Sequence, residues 1–231
     1  MIEKNGLLRT RIITNEDETH VYEICREFDR DEGDEIILFS LFPTMTEPGF
    51  DLSSMHLINH SAELNLKTVH FLFLQSKVSK AKLSTRGLKV DKENLDYIRS
   101  AIEMYPEAKI VVSFGSSMNK CPAVIESKVE IFKIIKELRP NDPIFQIDTD
   151  DVEETGAHIL WLGIRYGSQE WRLTQYVVPY CYTPEGFEAY EKEKMVRREL
   201  FIQNVLGKKS ELTEGSEKTT KGKKKSGNKE S

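Results

Sequence analysis

The clearest pattern along the chain is a run of apolar residues, Ile36, Ile37, Leu38, Phe39, Leu41 and Phe42, that stops abruptly at Pro43. Polar and Gly-Pro residues follow, and Asp51-Leu52-Ser53-Ser54 then has the composition of a helix start. A run of this kind predicts a strand buried on both faces, residues 36–42, that empties into a loop at the edge of a sheet. Such an edge is the usual place for a ligand in α/β proteins.

The remaining pattern alternates. Residues 8–14 and 21–28 predict a β-pair around the turn Asn15-Glu16-Asp17-Glu18, with a helix left open for the second segment. Asp51 or Ser53 can cap a helix reaching about residue 64, with Met55, Ile58 and Ala62 spaced for one face. Residues 67–74 (KTVHFLFL) predict a second buried strand. Asp91 caps a helix whose Leu95, Ile98 and Ile102 form a core stripe, and Tyr105-Pro106-Glu107 stops it. Residues 109–114 predict a third strand. Pro122 suits the first turn of a long helix with Ile125, Val129, Phe132 and Ile135 inward, broken at Arg139-Pro140-Asn141-Asp142-Pro143 before a short strand at 144–147.

The last third is less regular. Residues 156–166 and 175–178 predict strands joined by the turn Gly167-Ser168-Gln169. Thr183 caps, and Pro184 opens, a charged helix to about residue 205. Strand alternating with helix predicts a single three-layer α/β domain over residues 1–205, with a mostly parallel or mixed central sheet covered on both faces.

Charge changes this picture at the C-terminus. Residues 207–231 hold eight lysines and four glutamates, a formal +4, so the net −5 of the chain leaves −9 on residues 1–206. The segment 206–231 has too little apolar surface to offset the entropy of ordering and predicts a disordered, lysine-rich tail. Its Lys223-Lys224-Lys225 run could touch phosphates or an acidic protein partner, or serve solubility alone. An acidic body argues against nucleic acid lying along the whole surface. No apolar stretch approaches the ~20 residues of a membrane span. Residues 1–6 lack the apolar core of a signal peptide. Cys25, Cys121 and Cys181 are scattered without C-x-x-C spacing, which argues for reduced, packed thiols and a cytoplasmic location.

The strand ends gather the candidate chemistry: Pro43-Thr44, Gln75-Ser76, Gly115-Ser116-Ser117 and Asp148-Thr149. The stretch from Ser113 to Asn119 (SFGSSMN) sits between a strand and a helix, where free amides and hydroxyls can hold a phosphate or carboxylate. It lacks the G-K-[ST] ending of a Walker loop and is not G-x-G-x-x-G; the alternative is that Gly115 simply makes the turn. His56 and His60 are spaced i, i+4 and could face one metal, but no third ligand is offered at a recognisable spacing. His70 reads as a core histidine with one hydrogen bond. His158, entering a predicted strand from a glycine turn, could point into a cleft and move a proton or hold an anion. Asp51 is either a plain N-cap or a cap that also faces the ligand. Trp161, Trp171, Tyr166 and Tyr176 could stack a base or fill the core. Nothing in the sequence demands a cofactor or a metal.

The order of these pieces resembles an uncharacterised family of α/β proteins. In that family a strand ends in Asn-Pro-Ser-x-Ala, and an Asp-x-Thr helix start and a V-N-L-F strand follow. An Asn-Asp helix start, a strand ending in Trp-Gly and a late His-Pro come after. The resemblance spans about residues 21–161. Pro43-Thr44 falls on its Pro-Ser, Asp51 and Ser53 on its Asp-x-Thr, Val69 on its valine, Glu93-Asn94 near its Asn-Asp, Gly115 on its Trp-Gly and His158 on its His-Pro. Phe42, Met55, His70, Phe114 and Ile159 replace residues that the family keeps polar or special, so the scaffold is kept while much of the polar lining is not. The layout is also loosely similar to the uracil-DNA glycosylase superfamily. Because the candidate residues all fall at predicted strand or helix ends on one edge, the reading is an enzyme-like, hydrolase-like nucleotide- or nucleic-acid-associated protein with catalytic Asp51 and His158 and ligand contacts from Pro43, Thr44, Gly115, Ser116, Ser117 and Asn119. The alternative is a non-catalytic binding or regulatory protein on the same scaffold, acting through protein partners.

Overall fold

The computed structural model describes residues 6–80, 84–153 and 155–220, with side chains described as far as residue 202. The chain divides into two compact units, 1–184 and 185–231. The first unit carries a seven-stranded sheet of order β1-β2-β4-β3-β5-β6-β7. Its strands are β1 (Leu8–Thr14), β2 (Val21–Phe28), β3 (Asp34–Ser40), β4 (Leu66–Phe73), β5 (Lys109–Val112), β6 (Ile144–Asp148) and β7 (Arg172–Gln175). The central four, β4-β3-β5-β6, are parallel, and antiparallel pairs close both edges, so the sheet is mixed.

The parallel strands need crossovers, and four helices supply the covering layers: α1 (Leu52–Asn59), α2 (Lys92–Met104), α3 (Pro122–Leu138) and α4 (Ile159–Tyr166). Because side chains alternate along a strand, Ile36, Leu38, Val69, Phe71 and Val111 share one face, where they pack with Leu57 of α1 and Ile159 and Leu162 of α4. Ile37, Phe39 and Val112 point the other way and are equally buried, on the side where α2 packs against α3. The three-layer expectation holds. Asp51 and Asp91 cap α1 and α2 as their side chains predict, accepting from the amides of Ser54 and Asn94.

Three local expectations are corrected. Residues 159–166 form a helix rather than a strand. The apolar run Ile159 to Leu162 fits either element, and a side-chain cap at its start decides for the helix. Helix α1 ends at Asn59, and its buried positions are Ser54 and Leu57, while Met55 is half exposed and Ala62 is on the surface. Strand β7 begins at Arg172 because it pairs antiparallel with β6, Asp148 opposite Arg172 and Phe145 opposite Gln175.

Helix α5 (Pro184–Thr220) opens at Pro184 as expected, and its backbone continues past residue 205. Glu191 to Lys194 and Glu193 to Arg197 pair along it. The tail expected at 206–231 falls where side chains, and from 221 the chain itself, lie outside the described residues. Among the described residues no helix is long and apolar enough to cross a membrane. Cys25 and Cys121 are buried, Cys181 is exposed, and all three are free thiols.

Candidate functional site

Strand β3 crosses through α1 to β4 on one side of it, and β4 then crosses back through α2 to β5 on the other. The connections leaving β3 and β5 therefore diverge to opposite faces, which opens a crevice beyond the carboxyl ends of those two strands. A cleft of about 510 Å³ lies there. Its walls are apolar and aromatic, with Phe42, Phe71, Phe73, Trp161 and Ile164 among them, and Ser40, Thr44, Asp51, Ser117 and His158 supply polar groups.

Asp51 reaches this cleft from the N-terminus of α1. One carboxylate oxygen accepts the Ser54 amide at 2.7 Å and the other accepts the Thr44 hydroxyl at 2.8 Å. Each oxygen keeps a further lone pair for a ligand. Behind it lies Arg26 of β2, almost fully buried, donating to the Thr10 hydroxyl (2.9 Å), the Gly49 carbonyl (2.6 Å) and the Ser54 hydroxyl (3.3 Å), with its guanidinium over the Phe50 ring. Burial lowers the Arg26 pKa, and the charge of Asp51 works against that fall. Arg26 thereby ties the loop before α1 to the sheet.

His158 is fixed from two sides. The Leu160 amide donates to Nδ1 at 3.2 Å, capping α4. Nδ1 therefore carries no proton, so in the neutral ring Nε2 carries it and donates to the Ser40 hydroxyl at 3.2 Å. This tautomer makes His158 a hydrogen-bond donor toward the cleft side and leaves the Ser40 proton to point elsewhere. It does not let His158 take a proton from Ser40. The segment that holds His158 is clamped to the end of β5: the buried Ser113 hydroxyl donates to the Ala157 carbonyl and accepts the Ile159 amide, both at 2.9 Å, and the Gly115 amide donates to the Gly156 carbonyl.

That clamp explains Gly115. Its φ is +64°, and a Cβ there would stand 3.0 Å from the Cβ of His158. What approaches this glycine closely is the site histidine of the same chain. Of the expected ligand contacts, Pro43, Thr44 and Ser117 line the cleft, together with Asp51 and His158. Gly115, Ser116 and Asn119 do not. The Gly115 and Asn119 amides are already bonded to carbonyls, and the Asn119 side chain accepts from Lys128 Nζ at 2.7 Å and the Tyr182 hydroxyl at 2.9 Å. The loop is braced from behind by a buried lysine, Lys128.

Several residues went unseen in the sequence. Ser40 ends β3, short of the strand end expected at residue 42, and Arg26 sits mid-strand with no motif around it and reaches the loop before α1 only through the sheet. His56 and His60 do not converge. The His56 ring packs over Gly163 of α4, while His60 is buried, 2.8 Å from Glu63 and stacked on Trp171 at 3.9 Å. His70 makes two carboxylate contacts, to Glu23 at 3.0 Å and Glu35 at 2.8 Å, rather than one hydrogen bond. No protein-family model, curated protein or solved structure matches the chain.

Proposed function

We propose that the cleft at the ends of β3 and β5 binds a nucleotide-class ligand. The observation that carries this reading is the composition of the cleft at the place where the sheet topology opens it. Flat apolar walls of Phe42, Phe71, Phe73 and Trp161 suit a planar base, and Ser40, Thr44, Asp51, Ser117 and His158 suit its polar edge and sugar. A volume of about 510 Å³ fits a molecule of that size. In this reading Asp51 accepts from the ligand, and Ser40, whose hydroxyl oxygen accepts the Nε2–H of His158, turns its own proton toward the negative end of the ligand. The resemblance to the uracil-DNA glycosylase superfamily makes cleavage of a base–sugar bond the hydrolytic reaction to test first, with Asp51 activating water.

A second reading, binding without chemistry, is favoured by one observation: Asp51 and His158 both serve as helix caps, so each has a structural use that survives the loss of any reaction. A cytoplasmic location, and contacts of the lysine-rich tail with nucleic acid or an acidic protein partner, complete the proposal.

Equilibrium binding of the four nucleoside 5′-monophosphates and of a uracil-containing oligonucleotide, with base release followed in the same samples, separates these readings. Saturable binding that weakens in Asp51→Asn and His158→Ala, with base release, supports the catalytic form. The same binding without release supports the second. Binding unchanged by both substitutions removes the site assignment. Repeating the oligonucleotide series over a range of salt with a chain ending at residue 205 tests the tail, whose contacts would steepen the salt dependence.

A further inference from the structure

On the face of β2 opposite the cleft, Glu23 and Cys25 lie two residues apart and so project to the same side. His70 of β4 is the cross-strand partner of Cys25 in the antiparallel pair. All three are almost fully buried, and a carboxylate oxygen of Glu23, the Cys25 sulfur and a ring nitrogen of His70 lie within 4.8 Å of one another. We infer that Glu23, Cys25 and His70 form a binding site for a borderline-soft divalent transition metal of the zinc type.

The donor set is the first argument. Thiolate, imidazole and carboxylate together suit zinc and cobalt, and three protein ligands leave the fourth position of a tetrahedral ion to water. The surroundings are the second argument. His70 presents Nδ1 toward Glu23, while Nε2 sits 2.8 Å from the Glu35 carboxylate. A metal-bound histidine that gives its other N–H to a carboxylate is the usual outer arrangement of such sites. The Glu23 carboxylate is likewise oriented by donors: Arg11 at 3.1 Å, the Tyr97 hydroxyl at 2.5 Å and the Tyr105 hydroxyl at 3.2 Å. Tyr105 also stacks on the His70 ring at 3.7 Å and fixes its plane.

Placement of charge is the third argument: each ring nitrogen of His70 faces a carboxylate, so a divalent ion at Nδ1 would lie against the Glu23 carboxylate, with the Arg11 guanidinium on the same oxygen. Arg11 and Glu35, about half and two-fifths exposed, mark the short way in from solvent.

The test titrates the chelator-stripped full chain with Co²⁺. The expected result is one equivalent bound with thiolate-to-cobalt charge-transfer absorption, proton release in weakly buffered solution, and displacement by Zn²⁺. Cys25→Ser abolishes the band, Cys121→Ser and Cys181→Ser retain it, and Glu35→Gln weakens affinity by roughly 10–100-fold. No band at one equivalent in the wild-type chain overturns the inference. So does a band that Cys25→Ser leaves intact, or one that Cys121→Ser or Cys181→Ser removes. Should Cys25→Ser fail to fold, the wild-type band and the two other cysteine variants still decide.

Discussion

Strand β2 uses its two faces in opposite ways. On one side Ile24 and Arg26 support the cleft, where the polar groups are few and keep spare bonding capacity beside apolar walls. On the other side Glu23, without metal, is saturated by contacts from His70, Arg11, Tyr97 and Tyr105. The difference separates two uses of buried polarity. A satisfied network fixes the packing of a sheet against its helix and fails sharply when one member is lost. A partly satisfied set at an open strand end holds little stability and is ready for a ligand.

The largest effect falls on the saturated face. Glu23→Ala leaves the His70 imidazolium and the Tyr97 hydroxyl without their shared acceptor, and a loss of about 3–5 kcal/mol in urea unfolding is expected. Ligand binding by the fraction still folded stays unchanged. A loss below about 1 kcal/mol would dissolve the contrast between the two faces.

The next effect tests the packing that shapes the cleft. A Cβ at Gly163 would meet the His56 ring at about 2.0 Å, so Gly163→Ala forces α1 and α4 apart. Overpacking of this kind costs roughly 1–3 kcal/mol. Removing the ring in the same chain with His56→Ala restores most of it. Failure of that rescue places the strain elsewhere.

His158 divides stability from binding. His158→Ala loses the α4 cap, about 1 kcal/mol, while His158→Asn keeps a side-chain acceptor at that position and recovers stability. Both variants are expected to lose nucleotide affinity by at least about tenfold, the range of one charge-free hydrogen bond in a dry site. Equal affinity in His158→Asn and the wild type would make the histidine a cap only.

The gentlest probe is pH, applied to chelator-treated protein. Burial works against the charge of His70, but hydrogen bonds with Cys25, Glu23 and Glu35 outweigh it and push the pKa up to about 10. A group raised above its unfolded value, about 6.5 for histidine, stabilises fully below that value and loses the contribution as pH climbs toward the folded one. Unfolding free energy is therefore expected to decline from about pH 6.5 to about pH 10, with the decline removed in His70→Gln. A flat profile in the wild type means His70 is neutral.

The elements with strong period or strong caps were legible in the sequence. Residues 36–42 and 67–74 are too apolar for anything but buried strands, and Asp51, Asp91 and Pro122 mark helix starts by chemistry that acts within one turn. Residues 156–166 misled because Ile159 to Leu162 is apolar at every position, so neither period stands out, and the deciding hydrogen bond comes from a histidine, an uncommon cap. The candidate site was legible where it lies beside a strand or helix end in sequence: Pro43, Thr44, Asp51, Ser117 and His158. Arg26 and the Glu23–Cys25–His70 cluster depend on strand pairing between distant segments, which a single chain read in order does not reveal. Ser116 and Asn119 were drawn toward the ligand by the glycine beside them, yet the positive φ of Gly115 serves the approach of His158.

The most direct test of the central claim uses a built-in reporter. Trp161 lines the cleft, whereas the second tryptophan, Trp171, is buried under His60. Tryptophan fluorescence is followed while each nucleoside 5′-monophosphate is added, in the wild type and in Trp161→Phe. The account predicts a saturable change with at least one nucleotide that disappears in Trp161→Phe. No saturable change with any of the four, or an unaltered one in Trp161→Phe, contradicts a nucleotide site in this cleft.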